Sequence, residues 1–304
     1  MPALHVKVIV NPVAGAYSTR RKWPIISKLL KRIGLSFDFQ YTEGVGHAIE
    51  LARAAASDGY QCLVAVGGDG TVNEVANGIL YSTGAARTAL GIISTGTGSD
   101  FVRSVGIPRD FPSACSALTS SRRLAIDIGV VEYQSKGQTL RRFFVNGAGV
   151  GFDAAVVEKT ERLPKYFGGT IPYLAGVVRT LFSYKNKSVV VDLEDEVISS
   201  RVLNVVVANG GYLGGGMHVA PRAELNDSLL DVVIIGDIGK FELLKELPTV
   251  YKGTHINHPK VRMRKATHVS IQSPERMLVH ADGELLGESP ASFWVMPTAL
   301  SLVV

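Results

Sequence analysis

The chain has 304 residues, 46% of them hydrophobic and 19% charged, which is an ordinary globular composition at a length that favours two domains over one. A net charge of +5 and a pI of about 9.1 suit acidic small molecules or an anionic membrane surface. They do not call for nucleic acid, and neither an aromatic RNP pattern nor paired Cys/His finger spacing is present.

The N-terminus enters a strand pattern at His5 without the charged and apolar regions of a signal peptide. No apolar run reaches the roughly 18 residues needed to span a bilayer. Val6 to Val10 reads as a strand, and Ser18 to Ile33 as a helix with Ile25, Ile26, Leu29, Leu30 and Ile33 on one stripe. Ser36 to Thr42 alternates as a strand, His47 to Ser57 is an Ala-rich helix, and Cys62 to Val66 is a third strand. Val72, Val75, Ala76, Ile79 and Leu80 then mark a helix, and Ala89 to Ile93 a fourth strand. This alternation predicts a parallel sheet covered by helices on both faces, with ligands bound beyond the carboxyl ends of its strands. The only cysteines, Cys62 and Cys115, sit in apolar surroundings and read as buried free thiols of a reducing compartment.

After Ile126 the texture is β-rich, with Gly, Asn and Asp between short runs, and predicts a mostly antiparallel second domain. Residues 1–128 are the expected α/β domain and 129–291 the expected β-sandwich domain, with 292–304 either finishing the second or returning to the first. One helical interruption carries Leu174, Val177, Val178, Leu181 and Phe182 on a stripe, as core or as a lipid-facing wall. "NGAGVGFDA" (146–154) has G-x-G-x-G spacing without a βαβ context, so it reads as a tight turn and not a dinucleotide fingerprint.

"VGGDGTVNEV" (66–75) places Gly67, Gly68, Asp69 and Gly70 between a strand and a helix, like a phosphate turn without its lysine. Free amides at a helix start and closely approachable glycine backbone can hold an anion unaided. Thr71 and Glu74 fit a capping box, with Thr71 also placed to touch phosphate. Asp69 beside a phosphate would repel it unless a cation intervenes, which points to Mg²⁺ or proton transfer; a turn-stabilising Asp is the plain alternative. "ISTGTGSDF" (93–101) and "NPVAG" (11–15) supply two further turns at strand ends.

"VNPVAG", "VGGDGTVNEVANG", "GTGSDFVRSVGIP" and "HADGE", in that order, resemble the diacylglycerol kinase catalytic-domain family, related to sphingosine and ceramide kinases, over nearly the whole chain. The resemblance implies a fold like NAD kinase and phosphofructokinase in the first domain. It implies an ATP-dependent lipid kinase using Mg²⁺ that phosphorylates a diacylglycerol-like hydroxyl. Asn11, Pro12, Val13, Thr42, Gly67 to Asn73 (Gly67, Gly68, Asp69, Gly70, Thr71, Val72, Asn73) and Thr97 would line the nucleotide site. Asp69, Asp100 and Asp127 match an acidic network, and Glu284 the general base. Glu224, Asp227 and the Leu229 backbone match a structural metal loop, against which stands a plain Asn-Asp turn. Three positions depart from the family pattern: Ser99 replaces Asn, Ser228 replaces Gly, and Ala16 stands where a basic residue is usual. The implied partners are ATP, a lipid and an anionic membrane, in a cytoplasmic protein at the membrane's inner face, with a homodimer allowed and no nucleic acid. Lys260, Arg262 and Arg264 would form either a solvated edge or a headgroup-binding face. An NAD kinase-type enzyme and a non-catalytic nucleotide- or lipid-binding regulator are the alternatives.

Overall fold

The computed structural model describes residues 5–161 and 179–304. The chain divides into two compact units, one ending at Ile126 and regaining Pro297–Val304, the other Asp127–Met296. In the first, β1 (Val6–Val10), α1 (Ser18–Arg32), β2 (Phe37–Tyr41), α2 (His47–Ser57), β3 (Cys62–Gly67), α3 (Asp69–Leu80) and β4 (Ala89–Ser94) alternate. The short helices α4 (Asp100–Val105) and α5 (Phe111–Ala117) follow.

The strands pair in parallel in the order β2-β1-β3-β4. Ser301 and Leu302, at the chain's end, add a further parallel pairing to β4. Period-two alternation sends Val6, Val8, Val10, Val64 and Val66 to one face, where they pack on Trp23, Ile26 and Leu30 of α1 and on Cys115 of α5. Ile9, Leu63 and Ala65, pointing the other way, are equally buried, as strands covered on both faces must be. Both cysteines are free and buried.

The second unit begins in β5 (Arg123–Ser135) and continues with β6 (Gln138–Phe144), β7 (Gly147–Gly151), α6 (Phe152–Glu161), β8 (Lys187–Asp192), β9 (Val197–Ala208) and β10 (Leu230–Gly236). Then come α7 (Lys240–Lys252), β11 (Val261–Ala266), β12 (His268–Gln272), β13 (Leu278–Ala281) and the long β14 (Glu284–Val303). The expected sandwich is joined along its sides. β9 pairs β7, β7 pairs β13, β13 pairs β14, β14 pairs β12, β12 pairs β8, and β8 returns to β9. Length makes this closure: β9 pairs β8 through Val197–Val202 and β7 through Asn204–Ala208, so one strand serves two partners. Val150, Val191, Val205, Val279 and Phe293 are among the residues filling the interior.

The glycine-rich run 147–151 is a buried strand, not a turn. Small residues are needed there because Asp153 folds over it: a Cβ on Gly149 would lie 1.9 Å from Asp153 Oδ2. Of the apolar helical stripe, Leu174, Val177 and Val178 lie outside the described residues, as does "PKYFGG". Leu181 is buried and Phe182 exposed.

Candidate functional site

The carboxyl ends of β1, β3 and β4 each lead into one of the three glycine turns, and the first unit ties these turns together. Asn11 N–H donates to Val66 O, and its side-chain amide donates to Thr71 Oγ1 at 2.9 Å. Thr95 N–H donates to Gly67 O at 2.8 Å, and the Thr95 and Thr19 hydroxyls share a 2.5 Å hydrogen bond. Asp69, the first residue of α3, accepts from Phe101 N–H at the start of α4 through Oδ1 at 3.1 Å. The turns after β1 and β4 also meet backbone to backbone: Gly15, with φ of 58°, leaves so little room that a Cβ would lie 2.5 Å from Thr95 O.

Gly68 is not in a conformation reserved for glycine. Its backbone is extended (φ −94°, ψ −174°), and a Cβ there would meet only Gly96 Cα at 3.6 Å. The crowded partner is Gly96, whose added Cβ would lie 2.7 Å from Gly68 Cα. A side chain at Gly68 therefore fills the space above the turn and leaves the fold alone, whereas one at Gly96 pushes the turns apart. We expect Gly68→Ala to keep its melting temperature and weaken ATP binding, and Gly96→Ala to lower the melting temperature. Calorimetric ATP titration and thermal melting of both variants check this, and unchanged ATP affinity in Gly68→Ala contradicts it.

Gly68, Asp69 and Gly70 present surface, while Gly67, Thr71, Val72 and Asn73 are buried. Thr71 and Val72 N–H donate to Gly68 O at 2.9 and 3.1 Å, which leaves the Gly68, Asp69 and Gly70 amides as the free donors of a helix start, and the helix dipole adds partial positive charge. Glu74 does not close a capping box on its own helix. Its two oxygens accept from Gly46 N–H at 3.0 Å and Ala48 N–H at 3.1 Å, so it caps the start of α2. Its distant amides compete successfully with the local one because two orphan donors are satisfied at once.

Of the other expected nucleotide-site residues, Thr42 is buried beyond the end of β2 and donates its N–H to Val10 O. Val13 and Thr97 are exposed and Pro12 half-buried. Ser99 takes a left-handed conformation (φ 55°) before α4, one that Asn tolerates better than Ser. Ser94 steadies it through a 2.6 Å hydroxyl contact. Asp100 is buried at the head of α4. Lys22, one of the basic residues that follow Ala16 in the sequence, reaches Thr95 O through Nζ at 3.5 Å and is a cation at the rim of these turns.

In the second unit the "DGE" stretch is a two-residue hairpin. Asp282 and Gly283 both have positive φ, 46° and 80°, as the turn matching strand twist requires. Asp282 then accepts from the N–H groups of Val145, Asn146 and Gly147 at 2.7, 3.0 and 2.9 Å. Glu284 opens β14 and is paired: Arg142 donates to its Oε2 at 2.5 Å, with the guanidinium side chain 14% and the carboxylate side chain 42% exposed. His280 Nε2 lies 3.1 Å from Asp153 Oδ2. Burial opposes its charge, but the Asp153 and Asp282 carboxylates prevail and raise its pKa. Asp127 holds the 221–229 loop of the same unit, accepting from Ser228 N–H at 2.6 Å and donating its own N–H to Leu225 O at 2.7 Å.

Charge pairing bears on two expected surfaces. Lys260 is bound by Glu242 at 2.7 Å and Arg264 by Glu196 at 2.8 Å, with Arg262 exposed between them, the arrangement of a solvated edge. In the expected metal loop Asp227 Oδ2 is taken by Lys265 Nζ at 2.5 Å. Among the described residues no group of three or more His, Cys, Asp or Glu converges as a metal site, and Glu224, Asp227 and Leu229 do not fit a divalent ion.

A family model described as the diacylglycerol kinase catalytic domain matches residues 5–131. Another, described as the YegS C-terminal NAD kinase beta sandwich-like domain, matches residues 146–304. The chain is 30% identical over 287 residues to a diacylglycerol kinase of Staphylococcus saprophyticus, covering 94% of this chain and 91% of that protein. It is 28% identical over 289 residues to one of Bacillus subtilis, covering 94% and 92%. Its fold is similar to the crystal structure of a putative diacylglycerol kinase from Bacillus anthracis, with a TM-score of 0.81 at 24% identity over 100% of this chain and 96% of that one.

Proposed function

This chain belongs to the diacylglycerol kinase family and is a lipid kinase, and on that premise we propose that it moves the γ-phosphoryl group of ATP to the hydroxyl of a diacylglycerol-like lipid. The observation that carries the reading is the tying of three glycine turns at the strand ends of the first unit, with Asp69 as the carboxylate between them. That unit is the nucleotide domain in this reading, its parallel sheet covered by helices on both faces as in NAD kinase and phosphofructokinase. The NAD kinase activity itself is not favoured, since the curated relatives are named diacylglycerol kinases.

The amides of Gly68, Asp69 and Gly70 would receive the phosphates, with Lys22 adding positive charge at the rim. Mg²⁺ bound to ATP keeps several waters and needs only one or two carboxylates, and Asp69, half-buried at the open turn, fits that need. When bound, the ion neutralises phosphate charge. Glu284 would take the proton of the attacking lipid hydroxyl, with Arg142 setting the direction of its carboxylate. Loose phosphoryl transfer asks mainly for positioning and charge stabilisation. Incubating the protein with ATP and a cell lipid extract, then searching the extract for new phosphorylated lipids, tests the function and identifies the acceptor. A phosphorylated diacylglycerol species is expected, and an extract with no new phospholipid contradicts the reading.

Peripheral contact with an anionic membrane is part of this proposal, and α1 supports it better than the ion-paired strand. α1 carries Arg20, Arg21, Lys22, Lys28, Lys31 and Arg32 with no Asp or Glu. Beside it a surface groove of about 640 Å³ is lined by Trp23, Pro24, Lys28, Lys31, Arg32 and Phe39, with Ile25 and Tyr41 also exposed. Cations around exposed aromatic and aliphatic side chains suit an anionic lipid surface. Lys28→Glu/Lys31→Glu/Arg32→Glu should lower sedimentation with phosphatidylglycerol vesicles at least about tenfold and leave turnover of micelle-dispersed lipid unchanged. Equal binding of wild type to phosphatidylcholine vesicles contradicts the assignment.

A further inference from the structure

The loop that precedes β10 carries Glu224 and Asp227, and Asp231 follows in the strand itself. Asp231 is 1% exposed, and its Oδ1 has no hydrogen-bond partner among the described residues. Such a carboxylate in low dielectric demands a positive neighbour. The structure supplies one covalently. Lys265 on β11 is the register partner of Asp231 on β10, and its ammonium reaches past that residue to Asp227 Oδ2 at 2.5 Å. Asp227 Oδ1 is already engaged by Leu229 N–H at 3.0 Å. Both oxygens through which Asp227 would ligate an ion are therefore in use. A magnesium ion demands near-octahedral oxygen ligation, whereas an ammonium is a compact charge with three adjustable donors.

We propose that Lys265 is the permanent cation of this loop, standing where a divalent ion would otherwise be required, so that the 221–231 segment is ordered without metal. The surrounding charges agree with this geometry. The hydrogen bond to Asp227, together with the Asp231 and Glu224 carboxylates, holds the Lys265 ammonium above its ordinary range. Burial lifts the Asp231 carboxyl to about 6, against the pull of Lys265. Asp127 completes the segment: its hydrogen bonds to Ser228 N–H and Leu225 O close the loop. Ser228 bends there in a left-handed conformation with φ of 63°.

The consequence concerns stability and goes beyond the kinase reading, so it is tested without ATP or lipid. The full-length protein is melted in EDTA, in millimolar Mg²⁺ and in millimolar Ca²⁺, as wild type, Lys265→Met and Lys265→Arg. The wild type should melt within about 1 °C in all three buffers. Lys265→Met, which keeps the aliphatic stem and loses the charge, should melt at least about 3 °C lower in EDTA and regain part of that loss in Mg²⁺ or Ca²⁺. Lys265→Arg should stay close to wild type. A wild-type shift with Mg²⁺ that Asp227→Ala abolishes would show a metal in the loop and overturn the proposal. A Lys265→Met loss that no divalent ion restores would also overturn it, reducing Lys265 to an ordinary ion pair. If Lys265→Met does not fold, the wild-type buffer series and Lys265→Arg still decide.

Discussion

Asp69→Asn should lower kcat by at least about two orders of magnitude, the scale of a positioned charge or proton-transfer group, while the melting temperature stays near that of wild type. The structure makes this substitution more discriminating than the motif alone suggests. Asp69 Oδ1 accepts the Phe101 N–H at 3.1 Å, and an Asn side-chain oxygen can accept the same bond. The tie between the first turn of α3 and the head of α4 therefore survives. What disappears is the charge, and with it the cation contact proposed for Asp69. Steady-state kinetics and thermal melting on one preparation separate the outcomes. Near wild-type turnover makes Asp69 a structural tie only. A large fall in both turnover and melting temperature means that the tie itself needs the charge-assisted bond.

Glu284→Gln is the second large effect, a loss of roughly 10²-fold in phosphoryl transfer with little change in ATP affinity. Its structural cost should be small, because the Arg142–Glu284 pair has a carboxylate side chain 42% exposed and such pairs contribute about 0–1 kcal/mol. The pair also makes Arg142 testable as a positioning residue. Arg142→Met should lower kcat by about tenfold, a typical order for lost orientation of a catalytic group, without raising KM for ATP. Adding it to Glu284→Gln should cost nothing further, since the two act through one carboxylate. Additive losses would mean that Arg142 acts independently of Glu284. A fully active Glu284→Gln would remove the proton acceptor from this position.

What could be read from the residues in advance was local and periodic. The strand at Val6–Val10 and the helix at His47–Ser57 coincide with the observed elements, and the glycine turn falls where β3 ends at Gly67 and α3 begins at Asp69, because apolar period and glycine placement act over a few residues. What escaped is set by register across long separations. Glu74 matched a capping box by spacing, yet its partners are Gly46 and Ala48, 28 and 26 residues away. Lys260 and Arg264 alternated like an open basic face, and only the folded chain brings Glu242 and Glu196 to them. Arg142 stands 142 residues from Glu284, and no local pattern could pair them. Gly68 drew notice as part of a glycine cluster, but it has room for a Cβ, while its neighbours Gly67 and Gly96 do not. The 221–232 stretch matched a metal loop by type, while the residue that changes its chemistry, Lys265, lies on another strand.

The most direct measurement is label transfer from γ-labelled ATP to diacylglycerol in mixed micelles by the purified protein, with NAD⁺ as a parallel acceptor and Asp69→Asn as the control. The chain as described here transfers label to the lipid hydroxyl, makes no NADP⁺, and loses at least about 99% of the lipid activity in the variant. Label appearing in NADP⁺, or no transfer to any lipid by a folded, ATP-binding protein, would contradict it.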